Sequence, residues 1–351
     1  DWGYGVYLYN SNYNTLINII ANSNSYGLKF TSSHYNNLTN ITANSNSDIG
    51  LYFYGSNSNT LTNVTANSNS DGLFLFVSDL IKIQDSTFKD NYNWDIFFDA
   101  TVQWKQEFIN VIGTDDKPIV YFNKSVRIEN WYNNVSEIIL GNADYSILRN
   151  ITMIRSGRRN NGILLIGVDY ANITNITIVN FRGIYLSQFS SKNILENITA
   201  ISNGFALYLS YVSSNTIRNS NFQSNSCGIY LYGGGVYGAN FIYNNIFNNT
   251  SNFCSFGDIY ANYWNTTKQP GTNIWNESLG YIGGNLWTNP SGNGYSDTCK
   301  DVNYDGFCDD PYTLATNNLD YLPIAKTIGQ GALALSVTFN FNKVDFGTVN
   351  I

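Results

Sequence analysis

Charged side chains are scarce in this 351-residue chain, in which Lys, Arg, Asp and Glu together make up 12%. Globular proteins usually carry about 25%, so Asn, Ser and Thr must supply most of the polar surface. The charges that are present sum to −7, and a net negative chain has no electrostatic basis for binding nucleic acid. We therefore expect no nucleic-acid partner.

Proline, long apolar runs and metal-binding side chains are scarce as well. The chain has 5 Pro residues, which argues against a disordered, linker-rich protein. It has no run of about 18 apolar residues, so we expect no transmembrane segment. One His, His34, and one Met, Met153, are present, which disfavours a Ser/His nucleophile system. Because the chain begins at Asp1 rather than Met, we expect a processed form or a fragment.

The four Cys residues form two couples that are close in sequence. We predict disulfides Cys227–Cys254 and Cys299–Cys308, because an even count beside many N-glycosylation sequons indicates an oxidising compartment. Free buried thiols and chance Asn-x-Ser/Thr triplets are the alternatives. The glycosylation candidates are Asn37, Asn63, Asn123, Asn134, Asn172, Asn197, Asn249, Asn265 and Asn276. Together these features predict an extracellular or cell-surface location.

The chain is built of repeats about 22 residues long. The stretch ANSNS occurs at Ala21–Ser25, Ala43–Ser47 and Ala66–Ser70. Glycines recur with a similar spacing at Gly5, Gly27, Gly50 and Gly72, and later at Gly162, Gly183, Gly204 and Gly228. Periods of about 20–50 residues are typical of solenoids.

Apolar residues alternate after each glycine, as Leu28 and Phe30 do. This alternation predicts strands, and no apolar stripe with a 3.6-residue period is long enough for a helix. Three short strands per repeat predict an all-β fold, a parallel β-helix. We interpret ANSNS as a polar corner of each coil. We expect Asn18, Asn40 and Asn63 to form a ladder of stacked amides.

The repeat is lost between Trp94 and Asp144. We interpret residues 93–145 as irregular coils with an excursion at Gly113–Pro118. The sequence predicts a β-helix over residues 1–265, a C-terminal cap over 266–328 and a terminal strand over 329–351.

Three stretches of the chain have a distinctive amino-acid sequence. They are DDKPIVYFNK followed by EIILGNADYSILRNITM, the coils NGILLIGVDYANITNITIVN and CGIYLYGGG, and NYWN…GNLWTNPSGNGYSDTCKDVNYDGFCDDPYTL…NNLDYLPIAK. Together they cover most of residues 1–326 and resemble the NosD-like family, which is abundant among archaeal surface and secreted proteins. The resemblance implies a right-handed parallel β-helix. The namesake protein serves maturation of a copper enzyme, but copper prefers clustered His, Met or Cys, so we expect no copper here.

The segment DVNYDGFCDD is the best candidate for a metal site. Its alternating oxygen ligands followed by Gly306 match the first half of an EF-hand-type calcium loop. The candidate ligands are Asp301, Asn303, Asp305, Phe307 (through its carbonyl), Asp309 and Asp310. Position twelve is Tyr312, where such loops carry Glu. We predict structural calcium that clamps the open end of the β-helix; a solvated acidic turn is the alternative.

Groups that could perform catalysis are spread along the chain. The acidic candidates are Asp115, Asp116, Asp144 and Asp169, and we find no pair at matching positions on neighbouring coils, as glycoside hydrolysis would need. A basic strip would suit a lyase, and exposed turns are the alternative. The strip consists of Arg155, Arg158, Arg159, Arg182, Lys192 and Arg218. We predict no enzymatic activity.

Two further features point outward. Aromatic residues at solvent-facing positions predict a surface ladder of Tyr7, Tyr9, Tyr52, Tyr54, Tyr185, Tyr208, Tyr230 and Tyr232. The ladder either stabilises the coils by self-stacking or offers a flat face to sugars or another subunit.

The last segment of the chain has apolar residues at alternate positions: Leu333, Leu335, Val337, Phe339 and Phe341. A lone strand is unstable, so it packs back, begins another β domain or completes a neighbouring subunit.

The sequence thus predicts an extracellular structural protein of an archaeal cell surface, an S-layer-like or filament-forming subunit that assembles as a homo-oligomer. Calcium and N-linked glycans are the expected cofactors. A polysaccharide-active lyase or glycoside hydrolase and a carbohydrate-binding adhesin are the alternatives.

Overall fold

The structure, a computed structural model, describes residues 3–99, 105–156, 160–233 and 239–326. Its regular elements are almost all short strands that pair in parallel with the strand one coil away. The predicted all-β parallel β-helix is therefore confirmed. Leu28 lies opposite Leu51 and Phe30 opposite Phe53, so equal positions of successive repeats are stacked.

The first part of the chain forms coils that we call the N-terminal stack. Its strands are β1 (Tyr4–Tyr9), β2 (Thr15–Ile20), β3 (Tyr26–Thr31), β4 (Asn37–Thr42), β5 (Ile49–Tyr54), β6 (Thr60–Thr65), β7 (Asp71–Phe76), β8 (Lys82–Thr87), β9 (Trp94–Asp99) and β10 (Glu107–Ile112). Odd-numbered strands form one five-stranded sheet and even-numbered strands form another.

The second part forms coils that we call the C-terminal stack. Its strands are β11 (Ile119–Phe122), β12 (Arg127–Glu129), β13 (Glu137–Gly141), β14 (Ile147–Ile154), β15 (Ile163–Ile166), β16 (Asn172–Val179), β17 (Ile184–Ser187), β18 (Ile194–Ile201), β19 (Phe205–Ser210), β20 (Thr216–Arg218), β21 (Asn221–Gln223), β22 (Cys227–Tyr232), β23 (Phe241–Tyr243), β24 (Ile246–Asn248) and β25 (Ser251–Phe256). They form a seven-stranded and a nine-stranded sheet, and the latter also takes in a strand of the following segment.

Irregular chain with short elements follows the last coil. These elements are β26 (Gln269–Pro270), β27 (Tyr281–Ile282), β28 (Leu286–Thr288), α1 (Tyr295–Thr298), β29 (Tyr312–Ala315) and β30 (Asn318–Asp320), with a 3-10 helix at Glu277–Leu279 and another at Thr114–Asp116 between β10 and β11. Strand β28 pairs with β24 and so joins this segment to the stack. The predicted strand residues Leu333–Phe341 lie outside the described residues.

Each coil has three faces because its longer strands bend at an Asn. Strand β18 pairs with both β20 and β21, which Asn219 separates. Asn219 has a φ of 53°, and its counterpart Asn197 within β18 has a φ of 54°. Asn adopts this left-handed conformation more readily than most residues, so one Asn per repeat makes the corner.

The ANSNS stretches are a second corner, as the sequence predicts. In the middle copy Ala43 is fully buried and Ser45 turns the chain with a φ of 55°. The side chain of Asn46 is buried: its Oδ1 accepts from the N–H of Asn24 at 2.8 Å, and its Nδ2 donates to Oδ1 of Asn69 at 3.0 Å. Asn24 and Asn69 hold the same position in the neighbouring copies, so a buried amide ladder joins the corners.

The predicted ladder of Asn18, Asn40 and Asn63 is also present, on the exposed side of the coils. Asn40 Nδ2 donates to Asn18 Oδ1 at 3.0 Å, and Asn63 Nδ2 donates to Asn40 Oδ1 at 2.8 Å. The ladder prediction is confirmed, but water competes for these bonds and not for those of the buried ladder.

The recurrent glycine follows from the buried ladder. A Cβ on Gly50 would lie 2.6 Å from the carbonyl oxygen of Gly72 and 2.8 Å from Nδ2 of Asn69. Both distances are shorter than any van der Waals contact, so a side chain at this position would push adjacent coils apart. Glycine therefore recurs with the same period as the ladder Asn, because adjacent coils approach each other too closely at this position for a side chain to fit.

The two stacks meet through the first sheet of the C-terminal stack. The inward residues Ile138 and Leu165 pack in the core of that stack, whereas the outward residues Ile139 and Leu164 belong to the apolar cluster of the N-terminal stack. Asn161 Nδ2 also donates to the carbonyl of Ile96 at 3.3 Å. Strands β13 and β15 of this sheet are thus buried on both sides. The sheets do not continue through the region of lost repeat, since β9 and β10 end one pair and β11 and β12 begin the next.

Both predicted disulfides are confirmed. Cys227 in β22 and Cys254 in β25 are bonded with Cα atoms 6.3 Å apart, which staples two paired strands of neighbouring coils. Cys299 and Cys308 are bonded with Cα atoms 5.6 Å apart and close the acidic loop.

Replacement of Asn46 by Ala tests the buried ladder. We expect Asn46→Ala to lower the free energy of unfolding by about 2 kcal/mol. The variant leaves the N–H of Asn24 without its acceptor and removes the side-chain bond to Oδ1 of Asn69, which keeps only its bond from the backbone N–H of residue 46. Asn44→Ala in the same ANSNS copy is the matched control. Asn44 Oδ1 accepts from the N–H of Asn67 at 2.8 Å in a half-exposed position, where water can replace it.

Chemical denaturation measures both variants. Equal losses of stability in Asn46→Ala and Asn44→Ala would contradict the special weight given to the buried ladder.

Candidate functional site

The predicted calcium loop is held by its own hydrogen bonds. Asp301 is 5% exposed; its Oδ2 accepts from the N–H of Gly306 at 2.9 Å and its Oδ1 from that of Asp305 at 3.1 Å. Asn303 Oδ1 accepts from the same Asp305 N–H at 3.0 Å. Asp309 Oδ2 accepts from the N–H of Val302 at 3.0 Å. These oxygens face backbone amides.

The remaining oxygens of the loop are directed elsewhere. Asp305 Oδ2 pairs with Nζ of Lys268 at 2.8 Å, and the Phe307 side chain is buried. Asp310 is exposed, and its carbonyl oxygen accepts from the Tyr295 hydroxyl at 2.7 Å. Among the residues that the structure describes, no three His, Cys, Asp or Glu side chains are grouped to hold a metal ion. The calcium prediction thus gains no support.

The predicted aromatic ladder is present in two parts. Tyr52 stacks on Phe74 with ring centroids 5.3 Å apart, and Tyr54 stacks on Phe76 at 5.2 Å. Tyr7 and Tyr9 lie on the same side of the first coil and are exposed. On the C-terminal stack Tyr208 and Tyr230 are 5.1 Å apart and nearly parallel. The rings therefore stack along the coils, and those at Tyr7, Tyr9 and Tyr54 also face solvent.

Tyr185 is not a surface residue, contrary to the prediction. Its side chain is 8% exposed and packs in the apolar cluster of the N-terminal stack. Burial raises the pKa of its hydroxyl to about 12. The alternation of β17 correctly turns Tyr185 away from its own core, but the other stack covers it.

Two of the acidic candidates do lie at matching positions, which corrects the sequence-based expectation. Asp144 Oδ1 accepts from the N–H of Asp169 at 2.8 Å, and Asp169 Oδ1 accepts from the N–H of Ser191 at 2.8 Å. Their neighbours Tyr145 and Tyr170 stack with centroids 5.0 Å apart. These carboxylates join coils as Asn amides do elsewhere. Asp115 and Asp116 pair with Lys117 and Lys89.

The basic strip from Arg155 to Arg218 does not form. Arg155 is fully buried, with Nη2 3.3 Å from Oδ2 of Asp95, and Arg182 donates to the carbonyl of Asn93 at 3.0 Å. Arg218 pairs with Glu196 at 3.0 Å. The spacings of 27 and 36 residues between these cations are not multiples of the repeat of about 22 residues, so the cations lie at different positions around the coil. Arg158 and Arg159 lie outside the described residues.

The glycosylation candidates differ in accessibility. Exposed members are Asn37, Asn63, Asn123, Asn134 and Asn197, and half-buried members are Asn172, Asn265 and Asn276. Asn249 is 1% exposed, and its Nδ2 donates to the carbonyl of Phe222 at 2.9 Å. The folded chain cannot carry a glycan there, so this candidate is wrong.

A buried charge cluster that no sequence pattern indicates lies between the stacks. Asp95 Oδ2 accepts from Nδ2 of Asn160 at 2.7 Å and from the Thr114 hydroxyl at 2.8 Å, beside its ion pair with Arg155. Glu137 is fully buried next to this group. Within the described chain, neither oxygen of Glu137 has a hydrogen-bond partner, and neither have Nε and Nη1 of Arg155.

Burial controls the protonation of this cluster. It raises the pKa of the Glu137 carboxyl well above its usual range, with repulsion from Asp95 in the same direction. It also raises the pKa of Asp95 against the opposing effect of Arg155. A neutral Glu137 removes one of the negative charges that the cluster would otherwise bury beside the Asp95–Arg155 pair, which is the change that burial favours.

Comparison with known families decides the relationship of the chain. Residues 102–292 match the family described as periplasmic copper-binding protein (NosD), and residues 1–125 match the right handed beta helix region. The chain belongs to the NosD family. The family resemblance proposed from the sequence is confirmed, and the match to the right-handed β-helix region covers the N-terminal stack.

Comparison of this NosD-family chain with solved structures gives a weak similarity. The crystal structure of the Dettilon tailspike protein (gp208) is similar at 11% identity and a TM-score of 0.28, over 71% of this chain and 60% of that chain. The NosD-family chain thus spans about 60% of the length of that tailspike chain. No curated protein matches it.

The copper of the family description does not fit the residues of this chain. Copper is held by His, Met or Cys. His34 Nδ1 accepts from the N–H of Asn57 at 3.0 Å, Met153 is fully buried in the apolar core, and all four Cys are in disulfides. The donors that copper prefers are therefore separate and already bonded or enclosed.

The disulfides are typical of an oxidising, non-cytoplasmic compartment. In the part of the chain that the structure describes, no helix is long and apolar enough to cross a bilayer.

The buried carboxyls predict an unusual pH dependence of stability. Besides Glu137, burial raises the pKa of Asp71 to about 6 and that of Asp320 to about 7. A carboxyl with a raised folded-state pKa holds its proton where the unfolded chain has lost it, so stability falls as pH rises from about 4.5 toward the folded pKa. We expect the melting temperature to decrease between pH 5 and pH 8.

Glu137→Gln isolates one contribution. The titratable or charged groups that face Glu137 are Asp95, Arg155 and Tyr185, and Gln keeps the neutral form next to them at every pH. We expect the variant to be more stable than wild type at pH 8 and to lose less stability between pH 5 and pH 8. The difference in the free energy of unfolding should be about 1.4 kcal/mol for each unit by which the folded-state pKa of Glu137 exceeds its ordinary value. Identical pH profiles of the two proteins would contradict a neutral Glu137.

Proposed function

We propose that this NosD-family chain is a non-catalytic structural protein of an extracellular surface, an S-layer-like or filament-forming subunit. The observation that carries the proposal is the continuous bonding of polar side chains from coil to coil. In one buried ladder Asn193 donates to Asn215 at 2.9 Å, Asn215 to Asn240 at 3.0 Å, and Asn240 to Asn262 at 3.0 Å. Asn318 of the C-terminal segment continues it. A coil cannot open without breaking hydrogen bonds to both neighbouring coils, so the stack resists mechanical unfolding.

The carboxylates and cations favour this role over a polysaccharide lyase or hydrolase. Glycoside hydrolysis needs two carboxyl groups, about 5–10 Å apart and free to act on the substrate. Asp144 and Asp169 lie together, but the Oδ1 atom of each bonds a backbone N–H of the next coil. The cations that a lyase would use are paired or buried.

Exposed aromatic rings support assembly into a homo-oligomer or filament. Tyr9 is 60% exposed and Tyr54 is 44% exposed, and both lie on the same face of the N-terminal stack, separated by Thr31. Large rings that repeat along one face are suited to lateral contact with a second copy. The sequence of residues 333–341, with its clean alternation, would add contact by strand exchange. The resemblance to archaeal surface proteins is the basis for placing the assembly on an archaeal cell surface.

Electron microscopy tests the proposal. We expect the purified chain to form filaments or ordered arrays as its concentration rises. Tyr9→Ser combined with Tyr54→Ser should abolish them and leave the melting temperature nearly unchanged, because both rings are exposed. Tyr145→Ser, at an exposed ring of the C-terminal stack, is the matched control.

Two outcomes would refute the structural role. One is a chain that stays monomeric at all concentrations. The other is cleavage of a uronic-acid polymer that disappears in Asp169→Asn.

Calcium and N-linked glycans, both predicted from the sequence, would serve the same role by stiffening and shielding the surface. A calcium ion at the Asp301–Asp310 loop would require Asp301 and Asp309 to exchange their backbone N–H partners for the ion. Ligand binding at about 100 times Kd stabilises the folded state by about 2.7 kcal/mol, so calcium should raise the melting temperature above its value in EGTA. Asp309→Asn should lose the difference and Asp258→Asn, at an exposed Asp outside the loop, should keep it. Equal melting in calcium and EGTA removes calcium from the proposal.

A further inference from the structure

An open groove of about 460 Å³ lies on the C-terminal stack. Its floor is the row of outward corner Asn side chains of successive coils, and its far wall is the segment that follows the last coil. The lining includes Asn197, Asn219, Asn244, Glu196, Ile274 and Glu277. Sites that bind small organic ligands usually measure about 300–1,000 Å³, so the groove has the size of a ligand site.

The wall of the groove is fixed in place. Asn244 Nδ2 donates to the carbonyl of Thr272 at 2.9 Å, and Asn244 Oδ1 accepts from the N–H of Ile274 at 3.1 Å. Asn273, which also lines the groove, is fully buried; its Oδ1 accepts from the N–H of Trp275 at 3.0 Å. The wall is therefore held to the floor by defined bonds, and the groove does not depend on a loose loop.

The exposed amide ladder is interrupted in the groove. Asn197 Nδ2 donates to Asn175 Oδ1 at 2.8 Å, and Asn244 Nδ2 donates to Asn219 Oδ1 at 2.7 Å. Between them, Asn219 Nδ2 donates to Glu196 Oε1 at 2.8 Å and not to Asn197. Among the described residues no hydrogen bond to Asn197 Oδ1 is present, so this acceptor is available at the floor. Asn197 and Asn219 each have a second side-chain N–H, whereas Asn244 uses both of its N–H groups.

The charges of the groove decide what it can hold. Glu196 is neutralised by Arg218, with Oε2 3.0 Å from Nη2. Glu277 is exposed and forms no ion pair with any cation of the described chain within 4 Å. The lining has no Lys or Arg and one apolar side chain, Ile274. Net negative charge disfavours phosphates and acidic sugars, and a single apolar side chain is too little to hold the hydrophobic anchors of a peptide.

We propose that this groove binds a segment of a neutral polysaccharide. Sugar hydroxyls both donate and accept, and the floor offers both kinds of partner in rows: amide N–H groups of the Asn corners, Oδ1 of Asn197 and the carboxylate of Glu277. Ile274 offers a contact for the C–H face of a sugar ring. The row crosses successive coils, so the chain of the glycan lies along the stack. This site is separate from the structural role, which requires no sugar.

Titration calorimetry with cellohexaose, mannohexaose and chitohexaose as neutral probes, and hexagalacturonate as the acidic one, tests the site. We expect at least one neutral probe to bind and the acidic probe to bind more weakly. Glu277→Gln removes the free charge at an exposed position and should fold as wild type. Glu277→Gln and Asn197→Gly should each weaken the binding of the neutral probe about tenfold.

Asn63→Gly is the matched control. Asn63 occupies the same ladder position on the N-terminal stack, with a φ of 53° against 54° at Asn197, and it is also a sequon Asn. Gly accepts this backbone conformation in both variants. Binding should be unchanged in Asn63→Gly.

The site is overturned if no neutral probe binds, if hexagalacturonate binds more tightly, or if both groove variants bind as wild type does. An equal loss in Asn63→Gly would also overturn it, because the effect would then not belong to the groove. These outcomes are independent of assembly: filaments that bind no hexasaccharide refute the groove site alone, and monomers that bind one refute the structural role alone.

Discussion

The hydrogen bond between an Asn side chain and the same Asn one coil away is the interaction on which this structure depends. Coil corners leave backbone groups that the sheets do not pair, and buried groups of this kind must find a partner. At the ANSNS corner Asn46 supplies it by accepting from the N–H of Asn24. Only a side chain of fixed length at fixed register can do so. The same requirement explains the other residues of the corner. They are a small Ala that points into the core, a Ser with a left-handed backbone conformation at the turn, and a Gly where adjacent coils approach each other.

The informative places are those at which a ladder ends or is diverted. The buried ladder of the N-terminal stack passes from Asn69 to Asn91 and ends at Oδ1 of Asp95, whose other oxygen pairs with Arg155. Stacking thus ends in a charge that the second stack neutralises. On the exposed ladder, Glu196 diverts Asn219 and opens the groove. Asp95 and Glu196 depart from the repeat, and each makes contacts that the usual repeat residue does not make.

The junction explains why ionisable groups of this chain behave unlike those of a surface. Two stacks cover Asp95, Arg155, Glu137 and Tyr185 completely or nearly so, and burial raises the pKa of each acidic group among them. A neutral Glu137 is compatible with this environment, whereas a second buried carboxylate with no hydrogen-bond partner is not. Protonation and the packing of the two stacks are therefore linked.

The repeat pattern of the sequence is enough to specify the coil. Alternation after each glycine set the strands and the 22-residue spacing set the stacking. The Asn ladders followed, because they are contacts between equal positions of neighbouring repeats. The disulfides followed from Cys residues that are close in sequence. Which outward residues are covered depends on contacts between the two stacks. Tyr185, Arg155 and Glu137 look like exposed positions in one stack and are buried by the other. The groove likewise needs a wall from residues 272–277. Contacts between parts of the chain that share no period leave no periodic signal, so the sequence could not show them.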